Sequence, residues 1–256
     1  MSVEIGLGVG LAVAVLAFFL EYLDASLGMG YGTTLTPLLL IVGFDPIRVV
    51  PAVLISQIAA GVVASFFHHR MENVNFGWGQ QDLKVMSTLT LFGLVGAFLA
   101  VFVALQLPPV LIEVYIGTLV LAIGIFVFAT VNRHFEFSWP KIVGLSFVAA
   151  FNKGMSGGGY GPLVTGGQIL SGVEGKRAIG ITSLAEGLVS TVAVLSYLLL
   201  TAKLDLSLAP YLVVGASLST PLSALTVRKV GTRILRFSIG ALTIILGATT
   251  VIKILL

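Results

Sequence analysis

No cysteine occurs in the chain, which excludes disulfides, thiolate metal sites and thiol catalysis and leaves the redox compartment open. Charge is scarce as well: 10% of the 256 residues are Asp, Glu, Lys or Arg, against about 25% in an ordinary soluble domain. Histidine is confined to His68, His69 and His134, with no HExxH pair, no Ser-His-Asp arrangement and no Walker A lysine motif. Metallohydrolase chemistry and ATP-driven transport by this chain alone are therefore not expected. Adjacent His68 and His69, beside Arg70, read as interfacial headgroup contacts rather than as a metal site. No cofactor and no metal is expected.

Apolar residues take the place of the missing charge, at 57% of the chain and a mean hydropathy of +1.08. Several runs reach the roughly 20 residues that cross a hydrocarbon core, and few show the alternation of a barrel strand. The fold class is an all-α polytopic membrane protein whose first partner is the lipid bilayer. The net charge of +3 does not point to nucleic acid, because the basic residues sit in short loops between apolar runs. The first 23 residues lack a basic n-region and a small-residue cleavage site, and read as a retained helix.

Ten apolar segments follow: approximately Ile5–Leu23, Thr33–Val42, Arg48–Phe67, Leu83–Leu105, Val110–Val131, Pro140–Phe151, Leu163–Leu170, Ala178–Leu200, Leu208–Val227 and Leu235–Leu256. The second and seventh are too short to span alone, and each follows a glycine cluster. A shift of 129 places GMGYGTTLTPLLLIVGFDPIR, from Gly28, over GGGYGPLVTGGQILSGVEGKR, from Gly157. Later, IGTLVLAIG from Ile116 matches IGALTIILG from Ile239 at a shift of 123. The chain thus reads as two homologous repeats of about five segments, residues 1–132 and 133–256, within one membrane domain. An odd number of segments would invert the second copy. With ten crossings the odd-numbered loops hold ten lysines and arginines, and the even-numbered loops hold three, Arg48, Lys153 and Lys203. Re-entrant short segments would give eight against five. Inverted repeats with both termini outside are expected.

Non-helical backbone at membrane depth is tolerated only inside the protein or along a watery cavity. A helix that starts after such a break turns free N–H groups, worth about half a positive charge, towards whatever the break holds. Two breaks in register, one per repeat, point to a transporter site; tight helix packing is the plainer reading. The candidate substrate-binding residues are Gly28, Gly30, Tyr31, Gly32 and Thr33 in the first break, and Asn152, Lys153, Gly157, Gly158, Gly159, Tyr160 and Gly161 in the second. Arg48 and Arg177, equivalent in the repeat, are candidates for attracting or binding an anion, with a loop anchor as the alternative. For proton coupling the candidates are Glu186, its repeat mate Gln57, and Glu21 and Asp24 near the end of the first helix. Glu21 and Asp24, the latter the repeat mate of Lys153, are also candidates for pairing with Lys153, with solvated helix-end residues as the plainer reading.

The segments GMGYGTTLTPLLLIVGF and GMSGGGYGPLVTGGQILSG, each followed by a basic residue and an apolar helix, resemble the duplicated glycine-rich signature of the sulfite exporter TauE/SafE family. The likeness covers nearly the whole chain, although Met29 and Tyr31 stand where glycines are common in the first cluster. The resemblance implies export or uptake of small sulfur-containing anions such as sulfite, sulfoacetate and other organosulfonates, in a protein of about eight spans, in a bacterial or archaeal plasma membrane. The expected function is secondary transport of a small anion by alternating access, coupled to protons. A passive anion channel, and behind it an intramembrane enzyme, are the alternatives. Whether the chain forms a homo-oligomer stays open.

Overall fold

The computed structural model describes residues 6–130, 138–201, 204–227, 241, 244–245 and 247–252. Among these residues there is no strand, and nine helices run in order: α1 (Leu7–Leu27), α2 (Tyr31–Val42), α3 (Pro46–Arg70), α4 (Gln81–Gln106), α5 (Pro109–Thr130), α6 (Trp139–Ser156), α7 (Tyr160–Leu170), α8 (Gly175–Thr201) and α9 (Ala209–Val227). Five of them, α1, α3, α4, α8 and α9, are long and apolar enough to cross a membrane. The chain is an integral membrane protein, and its side chains are arranged accordingly. On α1, Leu11, Val15 and Phe19 recur every four residues on an exposed stripe, while Glu21 and Asp24 are buried.

Backbone features recur at the offset of 129. Gly28 and Gly157 close α1 and α6 in the left-handed conformation, at φ 68° and 70°, which glycine adopts without a Cβ penalty. Each amide donates four residues back, to the carbonyls of Asp24 and Lys153. The bonds from Phe44 to Leu39 and from Val49 to Asp45 recur as Val173 to Gln168 and Ala178 to Glu174, all at the offset of 129.

Packing crosses between the halves: α1 lies along α9, and α4 along α6. Small residues permit the approach, with Gly215 against Ala14, Gly96 against Phe147, and Gly154 against Ala97 and Ala100. The central pair is α3 and α8. Their contacts run in opposite order: Gly180 of α8 meets His68 of α3, Ser183 meets Gly61, and Gly187 meets Gln57. The same reversed order joins α5 to the last described helical residues, where Gly117 meets Thr250, Leu121 meets Gly247 and Gly124 meets Ile244.

Four boundaries beside the breaks differ from the sequence expectation. Helix α1 continues to Leu27 rather than Leu23, and α6 to Ser156 rather than Phe151, so Asp24, Asn152 and Lys153 are helical and buried. Lys153 is consequently not a loop charge and drops out of the even-numbered loop count. The short helices begin directly at Tyr31 and Tyr160, after positive-φ Gly30 and Gly159. Most of the tenth segment, together with Lys203, His134 and the basic residues Arg133, Arg228, Lys229, Arg233 and Arg236, lies outside the described residues.

Candidate functional site

The two breaks interlock at the centre of the molecule. A Cβ on Gly32 would stand 2.1 Å from the Gly157 carbonyl oxygen, and one on Gly161 would stand 2.7 Å from that of Gly28. These are one contact made twice, since 32 and 161, like 28 and 157, differ by 129. Glycine is needed there because backbone meets backbone. Hydroxyls complete the joint: the Gly159 N–H donates to Thr33 Oγ1 at 3.1 Å, and the Thr165 hydroxyl donates to the Gly28 carbonyl at 2.7 Å.

Around this joint the buried charges collect. Lys153, with none of its surface exposed, donates from Nζ to Glu186 Oε1 at 2.7 Å and also to Gln57 Oε1. Gln57 Nε2 donates to the same Glu186 oxygen at 2.9 Å, so repeat mates touch across the pseudo-symmetry. Asp24 Oδ1 accepts the Tyr31 N–H at 2.9 Å, placing a carboxylate on the positive start of α2. Lys153 therefore pairs with Glu186 and not with its repeat mate Asp24. Glu21, Asp24, Gln57, Gly61, Ser183 and Glu186 line a void of about 10 Å³, room for about one water. Glu21 Oε2 has no hydrogen-bond partner among the described residues. Three carboxyls thus share one small void, and one of them, Glu186, pairs with the Lys153 ammonium.

The tyrosines that open the short helices differ in their surroundings. The Tyr31 hydroxyl shares a 2.7 Å hydrogen bond with Ser56. Tyr160 is fully buried, and its hydroxyl has no partner among the described residues. The cause is one substitution, because Ala185 stands where the repeat would place the counterpart of Ser56. Asn152, beside Lys153, accepts a hydrogen bond from the Tyr115 hydroxyl of α5.

The structure does not bring Arg48 and Arg177 to this centre. Each is the third residue of its helix and is paired at a helix end: Arg48 with Asp205 at 2.8 Å and with the Ser207 hydroxyl, and Arg177 with Asp82 at 2.5 Å. The Ser207 hydroxyl and amide, and then Arg48, hold the Asp205 carboxyl below its ordinary range.

One residue close to the site was read differently from sequence. His68 is buried within α3 rather than lying in an interfacial loop. Its Nε2 donates to the Ala25 carbonyl at 2.9 Å, which leaves Nδ1 to accept from Asn73 Nδ2 at 3.2 Å. Asn73 also donates to the Ala224 carbonyl and lines a surface cleft of about 670 Å³ with Val74, Asp82, Lys176 and Arg177 among others. A hydrogen-bonded chain therefore links that cleft to the residue after Asp24. An apolar run that ends in two histidines carried no signal of this.

The model of the sulfite exporter TauE/SafE family matches residues 13–250. Over 254 residues the chain is 26% identical to the probable membrane transporter protein YtnM of Bacillus subtilis (strain 168), covering 94% of this chain and 82% of that one. No solved structure matches.

Proposed function

Because the chain belongs to the sulfite exporter TauE/SafE family, a family of membrane transporters, we propose that it carries a small sulfur oxyanion, such as sulfite or an organosulfonate, across a prokaryotic plasma membrane by proton-coupled alternating access. The observation that carries this reading is the buried Lys153–Glu186–Gln57 cluster at the joint of the two glycine breaks. A buried ion pair is a poor source of stability, so its place at the centre of a membrane protein favours a role in transport.

The two-fold reading places one repeat upside down relative to the other. The reversed contact order of the equivalent helices α3 and α8 supports it, because a two-fold axis lying in the membrane plane would relate them in that way. The site then sits on the axis, reachable from either face in turn. A void of only about 10 Å³ favours a carrier over an open channel.

Charge determines how protons and the anion move together. Three ionised carboxyls lining the void repel an anion; with the carboxyls protonated, Lys153 and the helix starts attract it. Oxyanion oxygens accept hydrogen bonds, and the donors on hand are Lys153, the free Tyr160 hydroxyl and the backbone at the start of α7. The α2 start is already occupied by Asp24. The anion therefore binds on the α7 side and travels in the same direction as the protons.

Purified protein in proteoliposomes, with the outside more acidic, is expected to accumulate sulfite or sulfoacetate above the external concentration while acidifying the lumen. Uptake that only equilibrates the anion would identify a channel. No sulfur oxyanion uptake under either gradient would remove the substrate class.

A further inference from the structure

Arg48 and Arg177 are repeat mates, and so are the two ion pairs they make. Asp82 lies in the first turn of α4; Asp205 lies four residues ahead of α9, since 209 − 205 = 4. The shift of 123 that aligns Ile116 with Ile239 also carries Asp82 onto Asp205. Each pair joins one repeat to the other: Arg48 of the first half reaches Asp205 of the second, and Arg177 of the second reaches Asp82 of the first.

The pairs also stand at opposite ends of the molecule. Helices α3 and α8 pack in reversed order, so the start of α3 lies beside the end of α8, and the start of α8 beside the end of α3. With 25 and 27 residues the two helices are each long enough to cross a bilayer. Arg48 is thus held next to the segment that follows α8, while Arg177 borders the cleft that contains His69 from the end of α3. Between them lies the void at Glu186, which has no room for a substrate while both pairs are made.

The geometry points to Asp82 and Asp205 as the gating residues of the carrier cycle, each closing one face by an inter-repeat salt bridge to Arg177 or Arg48. This rests on the transport reading above. An alternating carrier needs two seals that are equivalent in construction, opposed in position and never open together, and the duplicated Arg–Asp pair meets the first two conditions. The seals are not equally tight. Asp82 keeps 4% of its side-chain surface and also accepts the Asn75 N–H at 2.8 Å, whereas Asp205 keeps 49%. Exposed pairs are weak and screened by salt, so the Arg48 face opens more readily.

The absence of cysteine makes the test direct. Ser183, which lines the void, is replaced by Cys, and its reaction with a membrane-impermeant maleimide is followed from each face in vesicles of known orientation. Asp82→Asn is expected to raise labelling about tenfold from the Arg177 face alone, and Asp205→Asn from the Arg48 face alone. The exchange Arg48→Asp with Asp205→Arg is expected to restore slow labelling. Because Asp205 is half exposed, its variants stay informative even if Asp82→Asn does not accumulate. Labelling unchanged by Asp205→Asn, raised equally from both faces, or not reversed by the charge exchange would overturn the assignment. The labelling needs no substrate, so gates that respond as expected in a protein that moves no sulfur oxyanion would overturn the substrate reading alone.

Discussion

Breaking the Lys153–Glu186 pair from one side should cost far more than removing it altogether. Lys153 is wholly buried and Glu186 keeps 7% of its side-chain surface, with 2.7 Å between Nζ and Oε1. Glu186→Gln leaves an ammonium with only amides beside it, and Lys153→Met leaves a carboxylate opposite Gln57. Removal of one partner of a buried pair costs about 3–5 kcal/mol, whereas replacement of both is often nearly neutral. At roughly 2–4 °C per kcal/mol for a chain of this size, each single variant should melt about 6–20 °C below the unaltered protein. The double variant should fall within a few degrees of it.

Thermal unfolding in detergent measures the three values at one pH. Single variants within about 1 kcal/mol of the unaltered protein, the range of exposed pairs, would mean that Lys153 finds water, and the buried cluster as described would be wrong. The double variant carries the functional half of the test. Well folded but without the titrating pair, it should bind substrate weakly and lose pH-driven accumulation; a double variant that still concentrates substrate under a pH gradient alone would remove Glu186 as a coupling group.

Gly32→Ala drives a Cβ to 2.1 Å from the Gly157 carbonyl oxygen and should destabilise by at least the 1–3 kcal/mol of an overpacked core, whereas Gly144→Ala, with nothing within 4 Å, should gain about 0.5–1 kcal/mol from helix propensity; equal melting temperatures for the two would refute the close crossing of the breaks. Tyr31→Phe should cost about 1 kcal/mol by taking the Ser56 hydrogen bond, while Tyr160→Phe should leave stability unchanged or raise it and weaken substrate affinity about tenfold. Transport kinetics beside melting curves decide this, and unaltered affinity in Tyr160→Phe would remove that hydroxyl from the site. The Asp205 carboxyl is held below its ordinary value, so the stabilisation from its charged form is complete above about pH 4 and is lost only as pH falls through the lower folded value. The labelling rate of the Ser183→Cys protein from the Arg48 face, divided at each pH by that of the same protein carrying Asp205→Asn so that the thiol's own ionisation cancels, should therefore be flat between about pH 5 and 8, and a rise of that ratio within the window would show that another group controls the face.

The matching breaks were legible because glycines that require positive φ leave fixed marks: Gly28 with Gly157, Gly30 with Gly159 and Gly43 with Gly172 all hold positive-φ backbone at the offset of 129. The polar pair Gln57 and Glu186 was legible for a related reason, as polar groups are costly inside apolar helices. The ends of α1 and α6 were not. Asp24 and Lys153 look like places for a helix to leave the membrane, and only partners beyond their own helices, Glu186 for Lys153 and the α2 start for Asp24, keep them inside. The two arginines were found as repeat mates, but their acidic partners lie 157 and 95 residues away, as 205 − 48 and 177 − 82 show, and no local spacing announces them.

The departures from symmetry carry as much meaning as the symmetry. Equivalent positions on a two-fold scaffold meet at its axis, so identical ionisable residues there would face each other and repel. The chain instead gives Asp24 a lysine, Lys153, as its mate and Glu186 an amide, Gln57, so that neither carboxyl position is duplicated. Two further differences act in the same sense: Glu21 has Ala150 as its mate, and Ser56 has Ala185. The first half consequently holds two of the three carboxyls and satisfies its own tyrosine, while the second half holds Glu186 beside the ammonium and leaves Tyr160 without a partner among the described residues. In the proposed carrier, inverted halves would give two access routes of similar shape, and the unlike residues at the joint would let one set of groups carry protons and another hold the anion. A symmetrised variant, Ala185→Ser, separates these contributions. It should give Tyr160 the partner that Tyr31 already has, raise stability by about 1 kcal/mol and weaken anion binding, with the backbone of both breaks unchanged. Stability and affinity rising together in that variant would show that the free hydroxyl is a packing defect and not a ligand for the anion.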